Sequence, residues 1–204
     1  MMWGRQSGGT MPWNRDWSSS EDCAVPDSYS ASAGAGAINI DQAGEAAKAY
    51  VEYLGHTGLE IDELMEFEQN FYVIVKEHKT GIGAMELLVS RSTGAVNPEM
   101  GPNMMWNTRY GMHARARMMG TLGSENAVSE GEALELAQRW LDTNRPGVIT
   151  EEHVDPFYGY YTVHTIADGD IEGMLSVHGQ TGQVWYHTWH GAFIQMLEGH
   201  EDHD

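Results

Sequence analysis

The stretch FYVIVKEHKTGIGAMELLVSRSTGAV, residues 71–96, decides the fold, because residues 157–184, FYGYYTVHTIADGDIEGMLSVHGQTGQV, are a second version of it. Both versions begin with Phe-Tyr and end with Thr-Gly-x-Val. Each pattern is typical of a strand, a turn that contains glycine, and a second strand. The versions start 86 residues apart and their Thr-Gly pairs are 88 residues apart, so the register is nearly constant. The sequence therefore predicts an internal repeat whose two copies pack together to bury an adequate core.

A helix is predicted before each hairpin. Apolar residues recur at helical spacing between Asp41, a suitable N-cap, and Gly55, a suitable stop. The second helix begins with a capping box formed by Ser129 and Glu132. The dipeptide 155–156, Asp-Pro, is predicted as a turn before the second hairpin.

The repeats divide the chain into five segments. We predict an irregular N-terminal arm at 1–37, a first repeat at 38–97, a methionine-rich connector at 98–127, a second repeat at 128–188 and an aromatic, histidine-containing acidic tail at 189–204. Connectors of this length without periodicity are usually functional segments or linkers.

Charge and composition exclude several classes of protein. The 204 residues carry 30 acidic and 11 basic side chains, a formal net charge of −19, which disfavours binding to nucleic acid or to anionic membrane surfaces. No apolar run reaches the roughly 18 residues of a membrane helix, so direct membrane insertion is not expected. Cys23 is the only cysteine, which rules out an intrachain disulfide and a cysteine-based zinc site.

Each unit, with its amphipathic helix, strand, hairpin and closing Thr-Gly-x-Val, resembles the PepSY module. The resemblance implies an α+β fold of two tandem PepSY-like units, each an amphipathic helix packed on a small antiparallel sheet. It also implies a periplasmic or extracellular location after removal of a leader peptide, and a binding or inhibitory role without catalytic residues.

The connector suggests a soft-metal site. Thioether sulfur suits Cu(I) or Ag(I), and nearby imidazole adds a further donor. Methionine also fills irregular gaps and forms adaptable contact surfaces, so packing or partner contact is the alternative. The sequence establishes no cofactor, and copper is the one that this hypothesis implies. The candidate ligands are Met104, Met105, Met118, Met119 and His113.

Two histidines in the run WYHTWH form a second candidate metal site. His187 and His190 are three residues apart, and on a strand such residues face opposite sides. They can share a metal ion only if the chain bends or becomes helical after Thr188, and Gly191 permits a bend. The alternative is a strand end whose tryptophans pack on the other unit.

Tryptophans near the repeats provide candidate contacts with a partner, because aromatic residues are enriched at the centres of protein interfaces. Internal packing is the alternative for the same side chains. The candidates are Trp106, Trp185, Trp189 and, in the N-terminal arm, Trp13 and Trp17.

The sequence contains no nucleophile elbow, phosphate-binding glycine loop or zinc-protease helix, so we expect no enzyme. We expect a non-catalytic exported binding or accessory protein. It would be a subunit or interaction module of an envelope or extracellular assembly, such as a redox-related one, that contacts another protein or further copies of itself. Soft-metal binding and peptidase inhibition are the alternative functions.

Overall fold

The computed structural model describes residues 37–111 and 126–198 of the chain. Within these residues there are three helices: α1 (Ile40–Tyr53), α2 (Pro102–Met105) and α3 (Glu130–Asn144). The strands of the same residues are β1 (Leu59–Phe67), β2 (Asn70–Glu77), β3 (Gly83–Ser90), β4 (Val96–Pro98), β5 (Ile149–Thr150), β6 (Asp155–Phe157), β7 (Tyr160–Ala167), β8 (Asp170–His178), β9 (Val184–Tyr186) and β10 (Phe193–Glu198).

Side-chain caps start the two long helices. In α3, Ser129 and Glu132 form the capping box that the sequence predicts. In α1 the expected cap was wrong, because Asn39 rather than Asp41 caps the helix and Gln42 completes its capping box. The side-chain oxygen of Asn39 accepts from the backbone N–H of Gln42. Because this cap lies two residues before Asp41, α1 begins about half a turn earlier than expected.

The predicted fold class, two α+β units each with its own small antiparallel sheet, is wrong. The described strands all belong to one mixed sheet in the order β10-β1-β2-β3-β6-β7-β8-β9, with β4 beside β3 and β5 beside β7. One segment joins what would otherwise be separate sheets, and a second extends the edge of the joined sheet. The dipeptide 155–156 belongs to strand β6 rather than to a turn, and β6 bridges β3 to β7. The segment 193–198 extends the sheet as β10 beside β1.

The two halves of the sheet meet at one parallel pair, Gly83 of β3 with Phe157 of β6. A Cβ atom at residue 83 would lie 2.4 Å from atoms of the Phe157 ring, which is closer than side chains pack. A residue without a side chain is therefore required where the halves approach each other.

The helices cover one face of the sheet. Side chains alternate between the two faces of each strand. In β2, Phe71 and Val73 pack in the cluster that contains α1. In β7, Tyr161 and Val163 pack in the cluster that contains α3. Each long helix thus buries its apolar face on a different half of the sheet.

The opposite faces of the two halves pack against each other. Tyr72 and Ile74 of β2 share a buried cluster with Tyr160 of β7 and Met174 of β8. Because β2 and β7 are three strands apart in the sheet order, the sheet must curl to bring these side chains together. The curl also brings β10 close to β8. The interior between the half-sheets is where the polar groups of the next subsection lie.

Among the described residues, no helix is both long enough and apolar enough to span a membrane.

Candidate metal centre

A carboxylate and two imidazoles are buried together between the two halves of the sheet. Glu99 is completely buried, His187 is 3% exposed and His190 is 1% exposed. One ligand-type atom from each of the three residues lies within 4.8 Å of the other two, an arrangement able to hold a metal ion. Buried charged and polar groups are costly unless they are paired or coordinate an ion, so this cluster requires an explanation.

Short contacts with the β3 backbone position Glu99, which directly follows β4. Its backbone N–H donates to the carbonyl oxygen of Glu86 at 2.8 Å. The side chain of Asn103, in α2, donates to the carbonyl oxygens of Glu86 at 2.9 Å and of Glu99 at 3.3 Å. The start of the predicted connector is thereby held against β3, and its one buried carboxylate points inward.

The chain bends after β9, and this bend brings the two histidines together. The backbone N–H of His187 donates to the carbonyl oxygen of Met174 at 3.0 Å. The carbonyl oxygen of His190 accepts from the backbone N–H of Gln69 at 3.0 Å. Gly191, with φ of +79°, then returns the chain into β10. The chain therefore bends beyond Thr188, as the sequence analysis required for His187 and His190 to share an ion.

The distances between ligand atoms suit a common ion. Oε1 of Glu99 lies 3.3 Å from Nδ1 of His187 and 3.1 Å from Nε2 of His190. Two ligands at about 2.0–2.1 Å from a tetrahedral zinc ion would be about 3.3 Å apart. Neither ring nitrogen makes a well-aligned hydrogen bond, and Oε2 of Glu99 also has no hydrogen-bond partner. The two ring nitrogens and the carboxylate are therefore close enough to share one ion.

The protonation of His190 follows from its neighbour Asn70. The Asn70 Nδ2 group donates to the carbonyl oxygen of Trp189 at 3.0 Å, so its Oδ1 atom is an acceptor. That oxygen lies 2.9 Å from Nδ1 of His190, which must therefore carry the proton. In the neutral ring, Nε2 then presents a lone pair to the Glu99 carboxylate 3.1 Å away. Two acceptors face each other at hydrogen-bond distance, a contact that a cation between them would stabilise.

Outer hydrogen bonds hold the three candidate ligands in place, as is usual around metal sites. Ser176 Oγ lies 3.0 Å from Nε2 of His187. The indole N–H of Trp189 donates to Oε1 of Glu99 at 3.0 Å. Each imidazole therefore has one nitrogen bonded to a polar partner and the other directed at the carboxylate.

The electrostatics favour an ionised carboxylate in this centre. Burial alone would raise the pKa of Glu99, but the charge and hydrogen bonds of His187 and His190 outweigh it and lower the pKa to about 2. Burial lowers the pKa of His190, and the hydrogen bond and charge of Glu99 only partly oppose it. Burial also lowers the pKa of His187, but the Glu99 charge reverses this and the net direction is upward. A metal ligand set needs an ionised carboxylate and neutral imidazoles, so the lowered pKa of His190 suits that role, whereas His187 must release its proton when an ion binds.

A second buried carboxylate, Glu86, borders the centre. Tyr72 donates to Oε1 at 2.5 Å, Thr162 donates to the same oxygen at 2.7 Å, and Tyr160 donates to Oε2 at 2.9 Å. Burial, followed by the charge of Glu99, raises the pKa of Glu86 to about 7. Three hydroxyl donors thus satisfy this carboxylate without a metal ion.

The structure places the candidate residues of the sequence in different environments. His187 and His190 lie together in the centre. Met104 lies in α2 half-buried, and Met105 is 46% exposed at the end of the same helix. Met118, Met119 and His113 lie outside the described residues.

The tryptophans are likewise divided. The rings of Trp106 and Trp185 meet edge to face with centroids 6.0 Å apart, and both are half-buried. Trp189 is a hydrogen-bond donor of the metal centre. Trp13 and Trp17 lie outside the described residues. The described tryptophans therefore make internal contacts and leave part of their surface open.

Sequence reasoning missed Glu99 and the two residues that orient the histidines, Asn70 and Ser176. Glu99 is one of two acidic residues in the connector, and no spacing links it to the later histidines. Ser176 gave a weak signal, since it is a polar residue between Leu175 and Val177 on a strand predicted to be buried.

Comparison of the chain with protein-family models, with curated proteins and with solved structures gives no match. The resemblance to the PepSY module therefore stays a prediction.

Proposed function

We propose that this protein binds a divalent transition-metal cation, of which Zn²⁺ is the best-suited example, through Glu99, His187 and His190. The observation that carries the proposal is the 3.1 Å contact between Nε2 of His190 and the Glu99 carboxylate in a fully buried site, where Nδ1 of the same ring lies 2.9 Å from the acceptor Oδ1 of Asn70. One carboxylate and two imidazoles are a ligand set used for zinc, and they suit a borderline divalent ion better than Cu(I).

The ion would serve structure rather than catalysis. Three protein ligands leave a fourth coordination position, as in catalytic zinc sites, but these ligands are at most 3% exposed, so a substrate could not reach that position. Glu99 follows β4 in the first half of the chain, and the histidines lie between β9 and β10. An ion held by all three would fasten the C-terminal segment, including edge strand β10, to the first half of the sheet.

For the whole protein we propose a non-catalytic binding or accessory role outside the cytoplasm. The support is the repeated hairpin pattern and its resemblance to PepSY modules. A metal-fastened scaffold is compatible with such a role, because coordination stabilises a fold without requiring further secondary structure.

A competition titration tests the metal site. Metal-stripped protein and a chromogenic chelator compete for Zn²⁺, and the wild-type chain is compared with Glu99→Gln. Removing a ligand should weaken binding at this centre more than removal of an outer hydrogen bond does, that is, by about 100-fold or more. The matched control is Glu60→Gln, which removes a carboxylate that is 52% exposed.

Two results would contradict the proposal. The first is a wild-type chain that cannot compete for zinc, and the second is Glu99→Gln retaining as much zinc as the wild type and the control. The methionine hypothesis is separated by the double substitution Met104→Leu and Met105→Leu. We expect that variant to bind zinc like the wild type.

A further inference from the structure

A second cluster of ligand-type atoms lies in the same interior layer, on different strands. Glu63 comes from β1, Asp155 from β6 and His164 from β7. One carboxylate oxygen or ring nitrogen from each lies within 4.8 Å of the other two. Like the first centre, this cluster exists only because the curled sheet brings its two halves face to face.

The converging atoms of this cluster make no aligned hydrogen bond, and Nζ of Lys76 lies 3.0 Å from one of them, Oδ1 of Asp155. The converging atoms are Oε2 of Glu63, Oδ1 of Asp155 and Nε2 of His164. The side chains of His164 and Asp155 are 4% and 3% exposed, and Nε2 of His164 lies 3.4 Å from Oε2 of Glu63. An unpartnered imidazole nitrogen this deeply buried and directed at two carboxylates indicates a ligand.

The other nitrogen of the His164 ring is fixed from outside the cluster. Nδ1 lies 2.8 Å from Oε2 of Glu151, and a carboxylate can only accept. Nδ1 therefore carries a proton, and in the neutral ring the lone pair of Nε2 faces Glu63. A carboxylate behind a histidine in this way is the usual outer support of a metal-bound imidazole.

Negative charge is in excess around the cluster. Glu63, Asp155, Asp62 and Glu151 face one ammonium group, that of Lys76, which lies 2.6 Å from Asp62 and 3.0 Å from Asp155. Burial raises the pKa of Glu63 to about 7, and the carboxylates of Asp155 and Asp62 add to the effect while His164 and Lys76 oppose it. A divalent ion would offset this charge, and Lys76 would compete with it for Asp155.

We propose that Glu63, Asp155 and His164 form a second site for a divalent transition-metal cation. Two carboxylates and one imidazole make it richer in oxygen ligands than the first centre, which suits harder divalent ions as well as Zn²⁺. It is also more open. Glu151, which supports His164, is 42% exposed, and the ring of His153, 3.5 Å from Asp155, is 66% exposed, so two neighbours of this site reach the surface. The proposal does not depend on the first centre.

Zinc content in a Glu99→Gln background tests the second site, because the first centre is disabled there. The proteins are stripped of metal, dialysed against Zn²⁺ and analysed for bound zinc per chain. We expect Glu99→Gln to retain one equivalent and the double variant Glu99→Gln, His164→Gln to lose it. His78→Gln in the same background is the matched control, because that ring is 73% exposed.

Two outcomes would overturn the second site. One is a Glu99→Gln protein that holds no zinc, and the other is a double variant that keeps its equivalent, which would place the ligands elsewhere. The rival explanation is that His164 is an imidazolium paired with Glu63 and Glu151. In that case the Glu99→Gln protein holds no zinc. Failure of the first centre is recognised separately, because wild type and Glu99→Gln would then hold equal amounts of zinc.

A substitution that is expected to increase zinc affinity gives a result that unfolding of the variant cannot explain. Lys76→Met removes the competing ammonium and keeps most of the apolar stem. In the Glu99→Gln background it should tighten zinc binding by about tenfold or more, because a like charge next to the ion is removed. An affinity that stays the same or weakens would contradict a cation site at Asp155.

Discussion

Replacing Ser176 with alanine perturbs the first metal centre without touching a ligand. Ser176 is completely buried, and its hydroxyl lies 3.0 Å from Nε2 of His187 and 3.2 Å from the hydroxyl of Thr162. The substitution removes one oxygen atom and leaves the three ligands in place. It therefore tests whether His187 is oriented for an ion at its other nitrogen.

The expected magnitude follows from the loss of that hydrogen bond. Outer-shell partners of metal ligands typically change metal affinity by about 10–100-fold when they are removed. At free zinc 100 times the wild-type Kd, binding stabilises the wild type by about 2.7 kcal/mol. At the same free zinc, a variant that binds 10–100-fold more weakly gains only about 0.4–1.4 kcal/mol. For a domain of this size the corresponding Tm increases are about 5–11 °C for the wild type and about 1–6 °C for the variant.

The assay is unfolding in urea with and without zinc, which gives the free energy of unfolding in both conditions. Without zinc, Ser176→Ala should cost about 1–3 kcal/mol, because Nε2 of His187 loses its buried partner. Thr165→Val is the control, since it removes another completely buried hydroxyl, from β7, that is not hydrogen-bonded to Glu99, His187 or His190. A zinc-dependent gain that is the same in Ser176→Ala, the control and the wild type would refute this reasoning.

Two further expectations concern the fold. Gly83→Ala should lower the free energy of unfolding by about 1–3 kcal/mol, because its Cβ would lie 2.4 Å from the Phe157 ring. Gly131→Ala is the control in the same urea series. Its Cβ meets no neighbouring atom, so this substitution should be neutral or slightly stabilising. Burial would raise the pKa of Glu77, but hydrogen bonds from Tyr110, Thr80 and Tyr158 and the charge of Arg109 outweigh it and lower the pKa. A lowered folded-state pKa stabilises the fold above the unfolded value of about 4.3 and loses this effect as pH falls. The stability difference between wild type and Glu77→Gln, measured from pH 3 to pH 7, should therefore increase as pH rises through about 4; a difference that is constant or shrinks would contradict the role of these hydrogen bonds.

Local structure was largely predictable from the sequence. Alternation and turn residues placed the hairpin 71–96, which forms β2 and β3 with the glycine-containing turn between them. The capping box at Ser129 was equally clear because both of its members lie in one short stretch. Such features depend on residues a few positions apart, and these are visible in a single sequence.

The joining of the two halves was not predictable, because it depends on contacts between distant residues. Strand β6 is three residues long and includes Pro156, which is typical of a turn. Glu86 lies between the apolar residues Met85 and Leu87 of β3, and nothing near it in the sequence indicates which side of the strand is covered. In the structure its side of the strand faces the interior, and Glu86 is completely buried.

Only part of the candidate metal centre could be inferred from the sequence, for the same reason. His187 and His190 are close in sequence, so a shared role could be inferred, with the bend as a condition. Glu99 comes from another element and has no periodic or spaced partner in the chain. The methionine connector drew attention to soft ligands, whereas the described residues bring together carboxylate and imidazole donors.

X-ray absorption at the zinc edge tests the central claim most directly, because it reports the ligands of the bound ion. The sample is His164→Gln loaded with one equivalent of Zn²⁺, which leaves the first centre as the expected site. We expect nitrogen and oxygen ligands at about 2.0–2.2 Å, two of them with the outer-ring scattering of imidazole, and loss of that spectrum in the His190→Gln, His164→Gln protein. A sulfur ligand near 2.3 Å, or fewer than two imidazoles, would contradict a centre built from Glu99, His187 and His190.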